Sequence, residues 1–327
     1  MDPLSDVLRA VRLTGAYFYL VEASPPWSVM TAPARELAPR ILPESEHLIS
    51  YHILTSGQCW AGLDGQSQIR MAAGDVVVFP HGDSHLMSSD QGRRVRGDEQ
   101  NQTPQRYPET VILGEGPPET TFVCGFLGCD VRPFNPLLAA LPSCLHVPAG
   151  LGRWLAEFPR QAVAESRTSR AGADTMLTRI AELMFVEVVR RHLETLASEQ
   201  AGWFAGLRDP IVGGALTRMH DQPSHDWTLA TLAHDIGSSR TVLAERFTQI
   251  IGIPPMQYLQ QWRLQLAANL LAGSTTKIAA IAAGVGYESE AAFSRAFKKI
   301  VGEAPTTWRR AATTAKAYSP RKVHSPL

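Results

Sequence analysis

The 327-residue chain reads as an α+β protein: a β-barrel first, central helices next, and a C-terminal all-α domain of two like units joined by a long helix. Three observations predict this. The last third repeats itself. The N-terminal part is rich in Pro, Gly and short apolar runs, the pattern of β structure. The charge divides the same way. From His225 onward there are 12 Lys and Arg against 6 Asp and Glu, so a formally neutral chain hides a basic C-terminal third and an acidic remainder.

The repeat comes first because it is the most specific signal. Leu229-Ala-Thr-Leu-Ala-His-Asp-Ile-Gly237 is echoed by Ile278-Ala-Ala-Ile-Ala-Ala-Gly-Val-Gly286, and Phe247, Gly252, Pro255 and Tyr258 by Phe297, Gly302, Pro305 and Trp308. The offset is 49 up to the glycine and 50 beyond it, so copy two carries one extra residue in its turn. A repeat of this period is one supersecondary unit used twice. The unit reads as a helix-turn-helix, over about 228–248 and again over about 277–300. Ala233 and Ala282 let two helices approach closely. Gly237 and Gly286 supply a turn with a positive backbone angle. Ser238 or Ser239 caps the second helix in copy one, and Ser289 in copy two. Leu243 and Phe247, then Phe293 and Phe297, give that helix its buried stripe. A helix from Pro255 to Leu271 lies between the copies, with apolar residues at helical spacing. Its length, roughly 25 Å at 1.5 Å per residue, suits two recognition helices about one DNA turn, roughly 34 Å, apart. Basic charge there supplies sequence-independent DNA affinity.

On these residues the chain resembles the AraC/XylS family of bacterial transcription regulators, over about Asp209 to Arg310. Ile281-Ala-Ala-Gly-Val-Gly-Tyr-Glu-Ser-Glu-Ala-Ala-Phe-Ser-Arg-Ala-Phe-Lys-Lys-Ile-Val-Gly-Glu-Ala-Pro-Thr-Thr-Trp-Arg309 is similar to the family signature almost throughout. The resemblance implies two helix-turn-helix units on promoter double-stranded DNA, an activator's role and RNA polymerase as a partner. It places base contacts at Arg240, Thr241, Ala244 and Glu245 in copy one and at Glu290, Ala291, Ala292 and Arg295 in copy two. Arginine bonds guanine bidentately and glutamate accepts from cytosine, whereas alanine reads little beyond a thymine methyl. Arg240 and Arg295 are therefore the expected specificity residues. Ser239, Lys277, Ser289, Lys298 and Lys299 are expected on phosphates, which position without specifying.

In the N-terminal half, Leu48–Leu54, Gln58–Leu63, Ser67–Met71 and Asp75–Phe79 read as strands, with Asp64-Gly65 as a hairpin signal. Gly74-Asp-Val-Val-Val-Phe-Pro-His-Gly-Asp-Ser-His85 resembles the second cupin motif, and a cupin is a small double-sheet barrel. In metal-binding cupins the last histidine points inward to the metal, which makes His85 a candidate ligand. The first motif is not intact, and Ser50 occupies the slot of its glutamate. A reduced site remains, with His52 and His85 meeting from adjacent strands and Cys124 joining from a later one. Two histidines and a cysteine suit zinc, copper or iron, so a divalent metal is the one cofactor implied. His81 is expected at a rim turn and His47 on the surface. Cys59, Cys124, Cys129 and Cys144 are expected to be buried and inert, the alternative being a redox pair of Cys124 and Cys129 if a loop joins them. Tyr51, Trp60 and Phe79 would line a pocket for an organic ligand. Three effector classes thus stay open: metal, small molecule and redox.

The expected organisation is a cupin-like sensor over 1–148, a helical segment over 149–206, the DNA-binding domain over 207–312 and a flexible tail over 313–327. In the middle, Asp174–Ala197 is an amphipathic helix with Met176, Leu177, Ile180, Leu183, Met184 and Val188 on its apolar face. A second helix is expected over Leu151–Ala164. These helices either form a homodimer interface or cap the barrel. Ser88–Thr120 reads as a polar loop, and Ala201–Asp209 as a linker. No run approaches the roughly 20 apolar residues of a membrane helix, so no membrane role and a cytoplasmic location are expected. The function read from all this is a sequence-specific DNA-binding regulator, not an enzyme. The alternative is a metal-dependent cupin enzyme, of dioxygenase or isomerase type, with the helical domain as a DNA tether. The missing glutamate and the lack of a nucleophile–base pair argue against it.

Overall fold

A computed structural model describes residues 2–11, 13–43, 45–92, 110–149, 161, 164–165, 170–196 and 202–318. The chain divides into two compact units. One holds Leu13–Asp130 and Leu141–Thr195; the other holds Met1–Arg12, Val131–Ala140 and Leu196–Leu327.

The first unit is a two-sheet β structure. Its strands are β1 (Thr14–Ala23), β2 (Ser28–Thr31), β3 (His47–Ser56), β4 (Gln58–Leu63), β5 (Ile69–Ala72), β6 (Val76–Phe79), β7 (His85–Ser88), β8 (Thr110–Leu113), β9 (Thr120–Cys129) and β10 (Leu145–Val147). The larger sheet runs β10-β6-β3-β9-β1-β8 and the smaller β2-β7-β4-β5. The four strands read from sequence are present, and Asp64-Gly65 sits in the turn between β4 and β5. Side chains alternate between sheet faces with a period of two. Leu48, Leu54, Phe122, Cys124 and Phe126 therefore share the core between the sheets with Val77, Phe79, Met71 and Met87. Strand β8, which pairs parallel with β1, falls inside the stretch expected to be one polar loop; residues 93–109 of that stretch lie outside the described residues.

Among the described residues, this unit includes the helices α2 (Ala34–Ile41) and α4 (Ala173–Thr195). Helix α4 packs on β1, β9 and β10 and buries Leu177, Ile180, Met184, Phe185 and Val188. Met176 and Leu183 belong to the expected apolar face but are 48% and 51% exposed. The buried stripe keeps the rest of that face and adds Ala181, Phe185 and Val189. The helix expected over Leu151–Ala164 falls almost wholly outside the described residues.

The second unit is all helical. It contains α1 (Pro3–Ala10), α3 (Pro136–Ala140), α5 (Trp203–Arg208), α6 (Pro210–Asp221), α7 (Leu229–Asp235), α8 (Arg240–Ile251), α9 (Pro255–Gly273), α10 (Ile278–Gly284), α11 (Glu290–Val301) and α12 (Pro305–Tyr318). Three expectations change here. Ala201–Asp209 is not an open linker, since α5 fills most of it and buries Trp203 and Phe204. The tail expected from residue 313 is helical to Tyr318. The N-terminal helix and Val131–Ala140, expected within the first domain, group by contact with the helical unit and dock on α9. Gln265 of α9 is 1% exposed; it accepts from the Phe134 N–H at 2.9 Å and donates to the Ala10 carbonyl at 3.3 Å. Asn269, one turn on, donates to the same carbonyl at 2.7 Å. A buried amide satisfied from two distant segments is costly to disconnect.

Candidate nucleic-acid interface and barrel site

Each helix-turn-helix is built as its sequence requires. Helices α7 and α10 bury Leu232 and Ala233, and Ile281 and Ala282. Both end in the same Schellman pattern. Ser238 N–H reaches the Ala233 carbonyl at 2.8 Å, and Tyr287 N–H reaches the Ala282 carbonyl at 2.9 Å. The turn glycines have φ +66° at Gly237 and +84° at Gly286, where an L side chain is strained. The extra residue of copy two lies between Gly286 and the next cap. Ser239 and Ser289 then accept from Val242 N–H and Ala292 N–H, both at 3.2 Å. Leu243, Phe247, Phe293 and Phe297 are fully buried, and the long helix α9 runs two residues beyond its expected end.

This burial leaves the other face of each second helix in solvent. Arg240, Thr241 and Glu245 on α8, and Glu290, Ala291 and Arg295 on α11, are exposed; Ala244 and Ala292 are half-buried. Ser239, Lys277, Ser289, Lys298 and Lys299 are exposed as well. Both cap serines accept with their oxygens, so each hydroxyl proton is free to donate. Arg246, in contrast, is committed to Asp209, its Nε at 2.7 Å from the carboxylate. Asp209 also caps α6 through Ile211 N–H and Val212 N–H. Burial opposes ionisation of Asp209, but Arg246 and the two N–H groups outweigh it and lower its pKa. Val242 is 45% exposed on the first turn of α8, an apolar group beside the expected readers that sequence reasoning passed over.

The barrel brings His52, His85 and Cys124 together. The two histidines do not lie on adjacent strands; β3 and β7 belong to different sheets, and the rings meet across the core. His52 Nε2 lies 2.7 Å from His85 Nε2, and His52 Nδ1 lies 2.8 Å from Cys124 Sγ. His85 Nδ1 lies 2.9 Å from the Asp83 carbonyl. The His85 ring stacks on Phe79 with centroids 3.9 Å apart. Burial pushes the His85 pKa down to about 4; burial and then His85 itself push His52 well down. Both rings are thus neutral near pH 7, and the hydrogen bonds assign the protons. Asp83 O can only accept, so His85 carries its proton on Nδ1 and accepts at Nε2. His52 then donates from Nε2 and accepts at Nδ1 from the Cys124 thiol. Tyr19, opposite Cys124 on β1, hydrogen-bonds the sulfur. The thiol pKa is raised by burial.

This arrangement does not fit the expected three-ligand metal site. His52 turns one nitrogen to each neighbour, and the two nitrogens of one imidazole cannot ligate the same ion. A metal would meet two of these side chains at most, and no group of three or more His, Cys, Asp or Glu able to hold an ion occurs among the described residues. The redox pair is corrected too. Cys124 and Cys129 lie five residues apart on the unbroken strand β9, on opposite faces and roughly 16 Å apart at about 3.3 Å per residue, far beyond disulfide reach. Tyr51 points away from the core between the sheets, its ring covering Gly125, where a Cβ would lie 2.1 Å from it. It lines no pocket with Phe79. His47 is half-buried rather than on the surface and bonds the Pro80 carbonyl at 2.6 Å, while His81 is in a turn as expected.

Comparison with known proteins finds a family for each half of the chain. A cupin family matches residues 2–194, and a helix-turn-helix domain family matches residues 232–311. The chain is 32% identical over 323 residues to an AraC-like transcription regulator of Streptomyces lividans, covering 95% of this chain and 98% of the relative. It is 31% identical over 313 residues to an AraC-like regulator of Streptomyces antibioticus, covering 95% and 99%. The HTH-type transcriptional regulator AlkR of Acinetobacter baylyi is 29% identical over 317 residues, 95% of this chain and 99% of the relative. With a cupin barrel before a doubled helix-turn-helix, the chain belongs to the AraC-like transcription regulators and is a DNA-binding regulator of transcription.

Proposed function

We propose that this regulator reads promoter DNA through the outer faces of α8 and α11 and activates transcription with RNA polymerase, under control of a signal registered in the barrel. The observation that carries the reading is the paired exposure of Arg240 and Arg295, each on the first two turns of a second helix whose opposite face is fully buried. Thr241, Ala244, Glu245, Glu290, Ala291 and Ala292 flank them as base contacts, and Ser239, Lys277, Ser289, Lys298 and Lys299 hold phosphates. Replacing Arg240 or Arg295 with Ala lowers affinity for the specific site by about 1–3 kcal/mol, roughly fivefold to 150-fold, and relaxes preference at one position. Binding isotherms on single-base variants of a selected site measure this; unchanged preference in both variants overturns the assignment. The seven-residue spacing of exposed Met176 and Leu183 on α4 supports a second copy as the partner there.

For the signal we favour the chain Tyr19–Cys124–His52–His85, in which every proton has a place. Modifying the thiol or protonating an imidazole leaves a buried polar group unpaired, at a cost of about 1–3 kcal/mol, enough to shift a two-state population. The unfolded chain binds the extra protons below the ordinary histidine value of 6.5, while folded His85 stays neutral to about 4. Barrel stability is therefore full at pH 7–8 and falls as pH drops from 6.5 toward 4. Between pH 7 and 5 the loss from His85 is about 2 kcal/mol, read as a pH-dependent Tm that flattens in His85→Gln. Elemental analysis distinguishes the metal-enzyme reading: the chain purified without a His tag is expected to carry no stoichiometric metal. Near-stoichiometric metal that is lost in a His52→Ala/His85→Ala variant favours that reading instead.

A further inference from the structure

Arg263 stands midway along α9, half-buried, and its guanidinium donates in three directions. Nε donates to the Pro223 carbonyl at 2.6 Å, Nη2 to the His225 carbonyl at 2.7 Å and Nη1 to the Gly286 carbonyl at 3.3 Å. Pro223 and His225 lie in the segment that leads into copy one, where Trp227 closes the loop on the Gln222 carbonyl at 3.0 Å. Gly286 is the turn residue of copy two. One side chain thus ties the entrance of the first helix-turn-helix and the turn of the second to one point on the helix between them. Burial lowers the Arg263 pKa without bringing an arginine near neutrality, and nearby Tyr287 and Asp226 oppose the shift. A planar fork of five donors can meet carbonyls in three directions; a lysine, a point charge on a flexible stem, cannot fix such a geometry.

The glycines show the same asymmetry. A Cβ on Gly237 would meet nothing within 4 Å, whereas one on Gly286 would lie 2.8 Å from the Ser224 carbonyl and 2.9 Å from the Arg263 guanidinium. Gly286 therefore serves both the turn and the close approach of the two copies. The repeat itself does not call for this arginine, because its equivalent 50 residues on is Thr313.

We infer that Arg263 is a positioning residue that sets the phase between α8 and α11, and thereby the half-site spacing the regulator accepts. It reads no base and acts through the two copies it holds. The test is selection of binding sites from a random-sequence duplex library by the full chain and by Arg263→Gln, with Arg263→Lys as a second variant. The selected duplex is then titrated with zero, one or two base pairs inserted between its halves. The wild type is expected to enrich two sequence words at one spacing and to lose at least tenfold on a one-pair insertion. Arg263→Gln is expected to enrich the same two words over several spacings, with less than threefold loss on insertion, and Arg263→Lys to fall between. Wild-type spacing preference in the folded variants overturns the inference. Loss of one word at unchanged spacing also overturns it, because the residue would then shape a single copy. If Arg263→Gln fails to fold, Arg263→Lys alone decides by the same ratio.

Discussion

The two helix-turn-helix copies share a backbone and differ in their caps and exposed faces. Copy one starts with a capping box, Thr228 and Thr231 each serving the other's backbone N–H. Copy two starts at Lys277 with no side-chain cap bond. The outer face of α8 carries Arg240, Thr241 and Glu245; that of α11 carries Glu290, two alanines and Arg295, followed by Lys298 and Lys299 in its last turn. Asp209 and Arg246 fasten α8 to α6, whereas the turn of copy two is fastened to α9 through Arg263. The buried half of the unit is constant because only certain volumes fill the wedge between two crossing helices. The exposed half is free to diverge, so the two copies offer different groups to solvent.

The strongest way to break this comparison is through the cores. Phe247→Ala and Phe297→Ala each remove a fully buried ring and cost about 3–5 kcal/mol. Hydrogen exchange should show each loss centred on its own copy; equal deprotection of α8 and α11 by either variant would make the pair one cooperative block. A smaller effect tests the caps. Thr228→Ala costs about 1 kcal/mol, while Lys277→Thr gives copy two the cap it lacks and raises its stability, both followed by thermal melting. Smallest is the anchoring charge. Lys298→Ala leaves base preference unchanged and lowers the slope of log affinity against log salt by about one. A changed preference would make Lys298 a base reader rather than a phosphate contact.

Much of the site was legible because its signals are local. The positive angles of Gly237 and Gly286, the serine caps and the apolar stripe of α8 and α11 each depend on a few neighbouring residues. The convergence of His52, His85 and Cys124 was legible as residue types, since an inward period of two put each on a barrel face. Their mutual geometry was not. Which nitrogen faces which neighbour depends on how two sheets close, and that closure turned a metal-like triad into a hydrogen-bonded chain.

The doubled unit, the central helix, the caps and turns, and the strand periodicity follow from residue order, because backbone angles and amphipathic spacing act over a single element. Long-range packing instead sets the docking of the N-terminal helix and Val131–Ala140 on α9, the exposure of Met176 and Leu183 of α4, and the bonds of Arg263 to both copies. The Ala10 carbonyl meets Gln265 across 255 residues of chain. No local pattern encodes such a contact, which exists only because the packed helices leave one amide position where both segments can satisfy their backbone groups.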